Sequence, residues 1–158
     1  MSANRKTAIK KKLAASRAET LNLAHSLTEA QWNAMAFDEG SEWRVVDILR
    51  HVADSERGMT NLIVQICAGG EGVPPDFDLG RWNQRAVQKL QDKTPQQILS
   101  DMADNRLKLM DVIDTLADED WDKRGRHASL QIMSVEEVLN LIADHERSHF
   151  AAVRETLA

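Results

Sequence analysis

Proline placement restricts this chain more than any other feature. Its three prolines are Pro74, Pro75 and Pro95, so positions 1–73 and 96–158 hold none. Proline breaks a helix interior because it lacks an amide proton and its ring clashes with the preceding turn. Two long proline-free stretches therefore leave room for long helices. Of the seven glycines, Gly40, Gly69, Gly70, Gly72 and Gly80 fall where turns are wanted. A β-sandwich or barrel needs frequent turn residues and strands rich in β-branched and aromatic side chains. The chain has no Tyr, three Phe and four Trp, which excludes those folds and predicts an all-α protein.

At 158 residues the chain reads as one domain, 1–158, able to bury roughly two-thirds of its surface without a disulfide or a structural metal. No run approaches the roughly 18 apolar residues of a membrane span, so no membrane partner is expected. The opening MSANRKTAIKKK lacks a signal-like apolar stretch, and Cys67 has no second cysteine to pair with. The expected location is cytoplasmic. Net charge is −5, unevenly spread: residues 1–17 hold six bases and no acid, leaving the remainder at −11. An acidic body with few aromatics does not suit nucleic acid. The basic start reads as a solvated helix face, with a polyanion-binding arm as the other option.

Apolar residues at Ile9, Leu13, Leu21, Ala24 and Leu27 predict a helix over 5–26. Thr28 with Gln31 forms a capping box opening a short helix that carries Trp32. Residues 38–41 break the chain, and a long helix is expected from Glu42 to Cys67. A loop at 68–80 and a short helix at 80–91 follow. Thr94 and Pro95 read as N-cap and first residue of a helix to Leu116. Segment 123–133 reads as irregular, and Ser134 with Glu137 caps a last helix. The halves also repeat: Leu27–Trp32 parallels Leu116–Trp121 at an offset of 89, and Ile48–Arg57 parallels Val138–Arg147 at an offset of 90. The expectation is a four-helix bundle of two helix pairs related by a pseudo-twofold, with a long connection between the second and third long helices.

Five histidines are present. His51 shares a helical stripe with Ile48, Ser55, Gly58 and Leu62, while His145 and His149 share one with Val138, Leu141 and Ala152. Three imidazoles on apolar faces are costly to bury unless something ties them together. A divalent metal does so, because it takes neutral imidazole and an i, i+4 pair reaches one ion. The repeat places His145 and His149 at positions equivalent to Ser55 and Met59, on the face of His51. Residues 145–149 also read H-E-x-x-H, the zinc-protease string in which the Glu is general base. A protease is disfavoured: few residues follow His149, no sheet is expected, and Glu146 has a twin, Glu56, in the repeated Asp-x-Glu-Arg. His25 suits a helix C-terminus, and His127 reads as a solvated loop residue or an anion clamp. Cys67 reads as a small buried group, and Trp32, Trp43, Trp82 and Trp121 as staples of helix ends. Three histidines on one ion leave coordination positions open, the arrangement of a catalytic site. No protein Ser or Cys nucleophile is expected beside them, so the nucleophile would be a water or small thiol activated by the metal.

The stretch Glu42–Glu56, with Trp43, Leu49, His51 and Glu56, resembles the W-S-x-x-E-x-L-x-H-L-x-x-x-E motif of the DinB-like metalloenzyme superfamily (DinB/YfiT-like), and His145-x-x-x-His149 resembles its second motif. The resemblance covers nearly the whole chain. It implies an up-down-down-up four-helix bundle with two short inserted helices, often a homodimer, and His51, His145 and His149 as ligands of zinc, or of nickel. It implies a small-molecule substrate and an activity among thiol-dependent S-transferases, a related isomerase and hydrolases. The alternative is a non-catalytic metal-binding stress-response module. Val46 and Asp47 stand where the family has a small residue and often Glu. Asp47, Ser55, Glu56, Asn83 and Glu146 are the candidates for supporting the metal or lining its pocket.

Overall fold

Helix starts follow the side chains that can satisfy the first free amides. The computed structural model describes residues 2–38 and 41–158. Its long helices are α1 (Ser2–Ser26), α3 (Val45–Cys67), α5 (Pro95–Thr115) and α6 (Val135–Leu157), with short α2 (Glu29–Trp32) and α4 (Leu79–Lys89) between them. Thr94 Oγ1 accepts from Gln97 N–H (3.2 Å), and Gln97 Oε1 accepts in return from Thr94 N–H (2.9 Å). Ser134 caps α6 through Glu137 N–H (3.1 Å). Among the described residues, no helix is long and apolar enough to cross a membrane.

Two stretches differ from the sequence expectation. β1 (Met35–Asp38) pairs antiparallel with β2 (Ser41–Arg44), so α3 begins at Val45 rather than Glu42. The expected break at 38–41 includes the paired strand ends Asp38 and Ser41, and its residues 39–40 lie outside the described residues. The segment read as irregular, 123–133, holds β3 (Arg124–Arg126), paired with β4 (Ile132–Ser134). Strands of three or four residues are too short to display an alternating pattern.

Side-chain contacts fix the helix directions. Arg5, Lys12 and Arg17 of α1 meet Glu136, Asp144 and Glu146 of α6 in the same order, so these helices run parallel. Along α3 and α5, Val52 and Ala53 share a core with Ile98 and Met102, and Ile63 and Ile66 share one with Leu109 and Ile113, again in parallel. Ile9 and Leu13 meet the C-terminal half of α3 while Ala24 meets its N-terminal half, so α1 and α3 are antiparallel. The bundle is up-down-down-up. Several bases of α1 are paired: Lys10 with Asp114, Lys12 with Asp144 (3.0 Å) and Arg5 with Asp122 (3.4 Å). The acidic body supplies their counter-charges.

The pseudo-twofold extends through the whole core. Every buried residue of α6 has a buried counterpart 90 positions earlier in α3, from Val135 and Val45 to Val153 and Ile63. Ile9, Leu13, Thr20 and Ala24 of α1 likewise match Ile98, Met102, Leu109 and Ile113 of α5 at an offset of 89. Trp32 and Trp121 are buried equivalents that staple the helix ends, as expected.

At the centre, each long helix contributes one charge. Arg17 donates to Glu146 (3.0 Å) and Glu56 (3.3 Å), and Arg106 donates to Glu56 (2.6 Å). The arginines also reach across the axis to equivalent carbonyls, Arg17 to Met102 (3.4 Å) and Arg106 to Leu13 (3.0 Å). Glu56 is 4% exposed and Glu146 is 2% exposed. Removing one partner from such a buried set strands a charge and costs about 3–5 kcal/mol. Arg106→Ala should therefore lower the urea midpoint by the equivalent of several kcal/mol. Arg106→Met with Glu56→Leu keeps the Arg17–Glu146 pair and should be more stable than either single variant; a double variant no better than both singles would refute this account.

Candidate metal centre

α3 and α6 lie side by side with opposite directions, which brings position 51 of one against positions 145 and 149 of the other. His51 Nε2 lies 3.2 Å from His145 Nε2, which lies 2.9 Å from His149 Nε2. One ligand atom from each ring lies within 4.8 Å of the others. Rings tilt edge to face, and Trp43 packs on the His51 ring at 5.1 Å between centroids. His149 is 1% exposed and His51 is 4% exposed, while His145 is half-buried.

Burial favours the neutral form of His51 and His145. It pushes His51 down to about 4, helped by repulsion from His149 and opposed by Asp54. It pushes His145 down to about 2, helped by His149, His51 and His127. A neutral imidazole carries one proton on two nitrogens. His145 Nε2 faces two other ring nitrogens and can donate to only one of them. The His51 Nδ1 is buried with no hydrogen-bond partner among the described residues. Converging lone pairs suit an electron-pair acceptor. Around a tetrahedral ion with metal–nitrogen distances of about 2.0–2.1 Å, ligand nitrogens stand about 3.3 Å apart, close to the spacings present. The three residues fit a divalent cation.

A cavity of about 720 Å³ opens beside the cluster, with His51 and His145 in its wall. The rest of the wall is mostly apolar: Met59 and Leu62 of α3, Leu141 of α6, Met133 of β4, Val73 and Phe77 of the connection, and Trp82 of α4. The pseudo-twofold accounts for this layout. The positions equivalent to His51, His145 and His149 are Leu141, Ser55 and Met59, and all three line the same cavity.

The other sequence candidates divide into two groups. Ser55 and Asn83 line the cavity. No hydrogen bond joins Ser55 to a histidine among the described residues, so Ser55 has no histidine base. Asp47 instead secures the start of α3, accepting from Arg44 N–H (3.2 Å) and Arg50 (2.7 Å). Glu56 and Glu146 point into the four-charge cluster, which disqualifies Glu146 as the general base of an H-E-x-x-H protease.

Several residues were read otherwise or missed. Trp82 does not staple a helix end: it is 45% exposed, donates to Asp54 Oδ2 (3.1 Å) and packs on Phe77. Trp43 covers His51. Asp54, which the sequence analysis did not single out, is held by Trp82 and Arg57 (2.8 Å) in the cavity wall. His127 is half-buried in that wall rather than solvated. Phe77 and His127 come from connecting segments, where no helical period marks the inward side, and Trp82 stands in the short α4 that the connection carries. Cys67 lies outside the wall, and burial raises its thiol.

Solved structures share this fold. YfiT from Bacillus subtilis, described as a probable metal-dependent hydrolase with an unusual four-helix bundle topology, superposes with a TM-score of 0.78 at 19% identity, over 96% of this chain and 85% of that one. A mycothiol-dependent maleylpyruvate isomerase superposes with a TM-score of 0.74 at 14% identity, over 97% of this chain and 60% of that one. No curated protein matches the sequence. The sequence pattern of the DinB superfamily matches residues 12–153, most of the chain and both histidine-bearing helices. The chain belongs to the DinB superfamily.

Proposed function

We propose that this chain is a divalent-metal-dependent enzyme acting on a small organic molecule, with His51, His145 and His149 as the ligands of zinc, or of nickel. The observation that carries this reading is the juxtaposition of three converging imidazoles with a large apolar cavity. A non-catalytic metal site has no use for such a cavity. A bound divalent ion would supply Lewis acidity to whatever completes its coordination. The apolar wall would receive the substrate's hydrocarbon part and exclude water. Ser55 and Asn83 would provide hydrogen bonds to its polar atoms. Asp54, anchored by Arg57 and Trp82, would add negative charge beside His51 and so favour the cation.

The wall offers no cysteine, Ser55 has no histidine beside it, and Ser129 meets His127 Nδ1 in an exposed turn where that nitrogen already accepts from the Ser129 amide, so the attacking group would come from outside the chain. A low-molecular-weight thiol is the first choice, which makes the reaction an S-transfer; the thiol-dependent structural neighbour supports it. Water as the attacking group, and hence hydrolysis, is the second reading, supported by the likeness to a probable metal-dependent hydrolase.

Elemental analysis of purified protein should find about one divalent ion per chain, lost in both His51→Ala and His149→Ala; no metal after reconstitution with zinc and nickel would overturn the proposal. In the cobalt-substituted protein, millimolar thiol should change the visible spectrum. An unchanged spectrum would remove the thiol and leave hydrolysis. A third expectation follows from His51, whose pKa falls from 6.5 to about 4 on folding. The unfolded chain binds this proton first, so as pH drops from 6.5 toward 4 the metal-free protein should lose stability. The loss should be shallower in His51→Leu, measured by thermal melts across that range.

A further inference from the structure

His127 plays no part in the function proposed above, yet its surroundings are built with care. Its N–H donates to Gln131 O (2.9 Å), and its carbonyl accepts from Leu130 N–H (2.8 Å), closing the tip between β3 and β4. Leu130 has φ 72°, the left-handed region that three-residue hairpin loops require and usually fill with glycine. Leucine is disfavoured there. Two residues separate Asp38 and Ser41 in the first hairpin, and three separate His127 and Gln131 in the second. That added residue is why the repeat offset rises from 89 to 90. The hairpin is clamped from outside as well. Arg126 N–H donates to Glu71 O (2.8 Å), and Arg126 O accepts from Val73 N–H (2.9 Å). Gly72 fits against this strand, where a Cβ would lie 2.3 Å from the Arg126 backbone.

Inside the tip, Ser129 N–H donates to His127 Nδ1 (3.1 Å), and the Ser129 hydroxyl lies 2.9 Å from the same nitrogen. A backbone amide can only donate, so Nδ1 is an acceptor and the proton of the neutral ring sits on Nε2. Burial favours that neutral form. The ring lines the cavity close enough for its charge to bear on His145. No protein group among the described residues accepts from Nε2.

We infer that His127 is a ligand-binding residue whose Nε2–H donates to an oxygen on the molecule held in the cavity. The ligand class is an apolar body bearing a carbonyl-type oxygen. A strained, clamped turn keeps one tautomer in place, and a fixed neutral donor suits a neutral oxygen acceptor. This rests on the reading that the cavity is the substrate site, but not on the presence of metal.

The test compares acetophenone with ethylbenzene, which lacks the oxygen, on the full chain as purified and after chelation. Two-bond nitrogen–proton spectra should show His127 as the Nε2–H tautomer at neutral pH. Acetophenone should bind about fivefold more tightly than ethylbenzene, the worth of one neutral hydrogen bond, and should shift the Nε2 resonance. The preference should vanish in His127→Phe and persist in His127→Gln, whose amide can donate from the same place. Unchanged ethylbenzene affinity in both variants would show an intact cavity. An Nδ1–H tautomer, equal affinities, no binding of either probe, or a preference that survives in His127→Phe would overturn the inference. A preference retained in chelated protein would stand even if the metal-dependent reading failed.

Discussion

Two arginines and two glutamates, one from each long helix, hold the centre of this bundle. Arg17, Glu56, Arg106 and Glu146 are spaced so that each arginine spans the axis to the other half of the molecule. Burying four charges is costly, and apolar residues of similar volume could pack there. What the charges add is register. An arginine fork must meet its carboxylate and a carbonyl together, so sliding one helix past another breaks several charge-assisted bonds at once. Glu146 follows His145 directly in sequence. The register that pairs Arg17 with Glu146 therefore also sets the height of the histidine pair against His51.

The site departs from the symmetry that the cluster obeys. α3 and α6 form a groove with two equivalent ends. One end carries His51, His145 and His149. The other carries Leu141, Ser55 and Met59, and it forms the inner wall of the cavity. The second departure is the longer tip between β3 and β4, which brings His127 into the wall. The third is α4, which lies in the connection between the repeats and contributes Trp82 and Asn83. The architecture repeats, and the residues that bear on chemistry are the ones that do not.

Much of the fold was legible because helices announce themselves by period and caps. Thr94 with Pro95, Ser134 with Glu137 and the proline-free stretches marked three of the four long helices within a few residues. The triad was legible because an i, i+4 pair and the repeat together point three imidazoles at one face. The hairpins were not, since three-residue strands carry no alternation. Arg17 and Arg106 were overlooked although they stand 89 positions apart like Trp32 and Trp121: basic residues in a charged helix look like surface until a buried partner is found. The cavity wall was the least legible part. Its distinctive residues, Phe77, Trp82 and His127, lie in segments whose positions depend on the backbone bonds of Glu71 and Val73 with Arg126.

The pairing of α1 with α6 has a consequence for how the chain is made. α6 is synthesised long after α1, so Ser16 and Arg17 wait for Ala143 and Glu146 while α3 and α5 emerge, although Ile9 and Leu13 can already meet Met59 and Ile63. The first half of α6 supplies the missing partners. One face of α1 therefore stays uncovered from its own synthesis until residues 136–146 are made. Its row of lysines and its sparse apolar stripe suit that wait, since they keep the helix hydrated and poor at associating with other nascent chains.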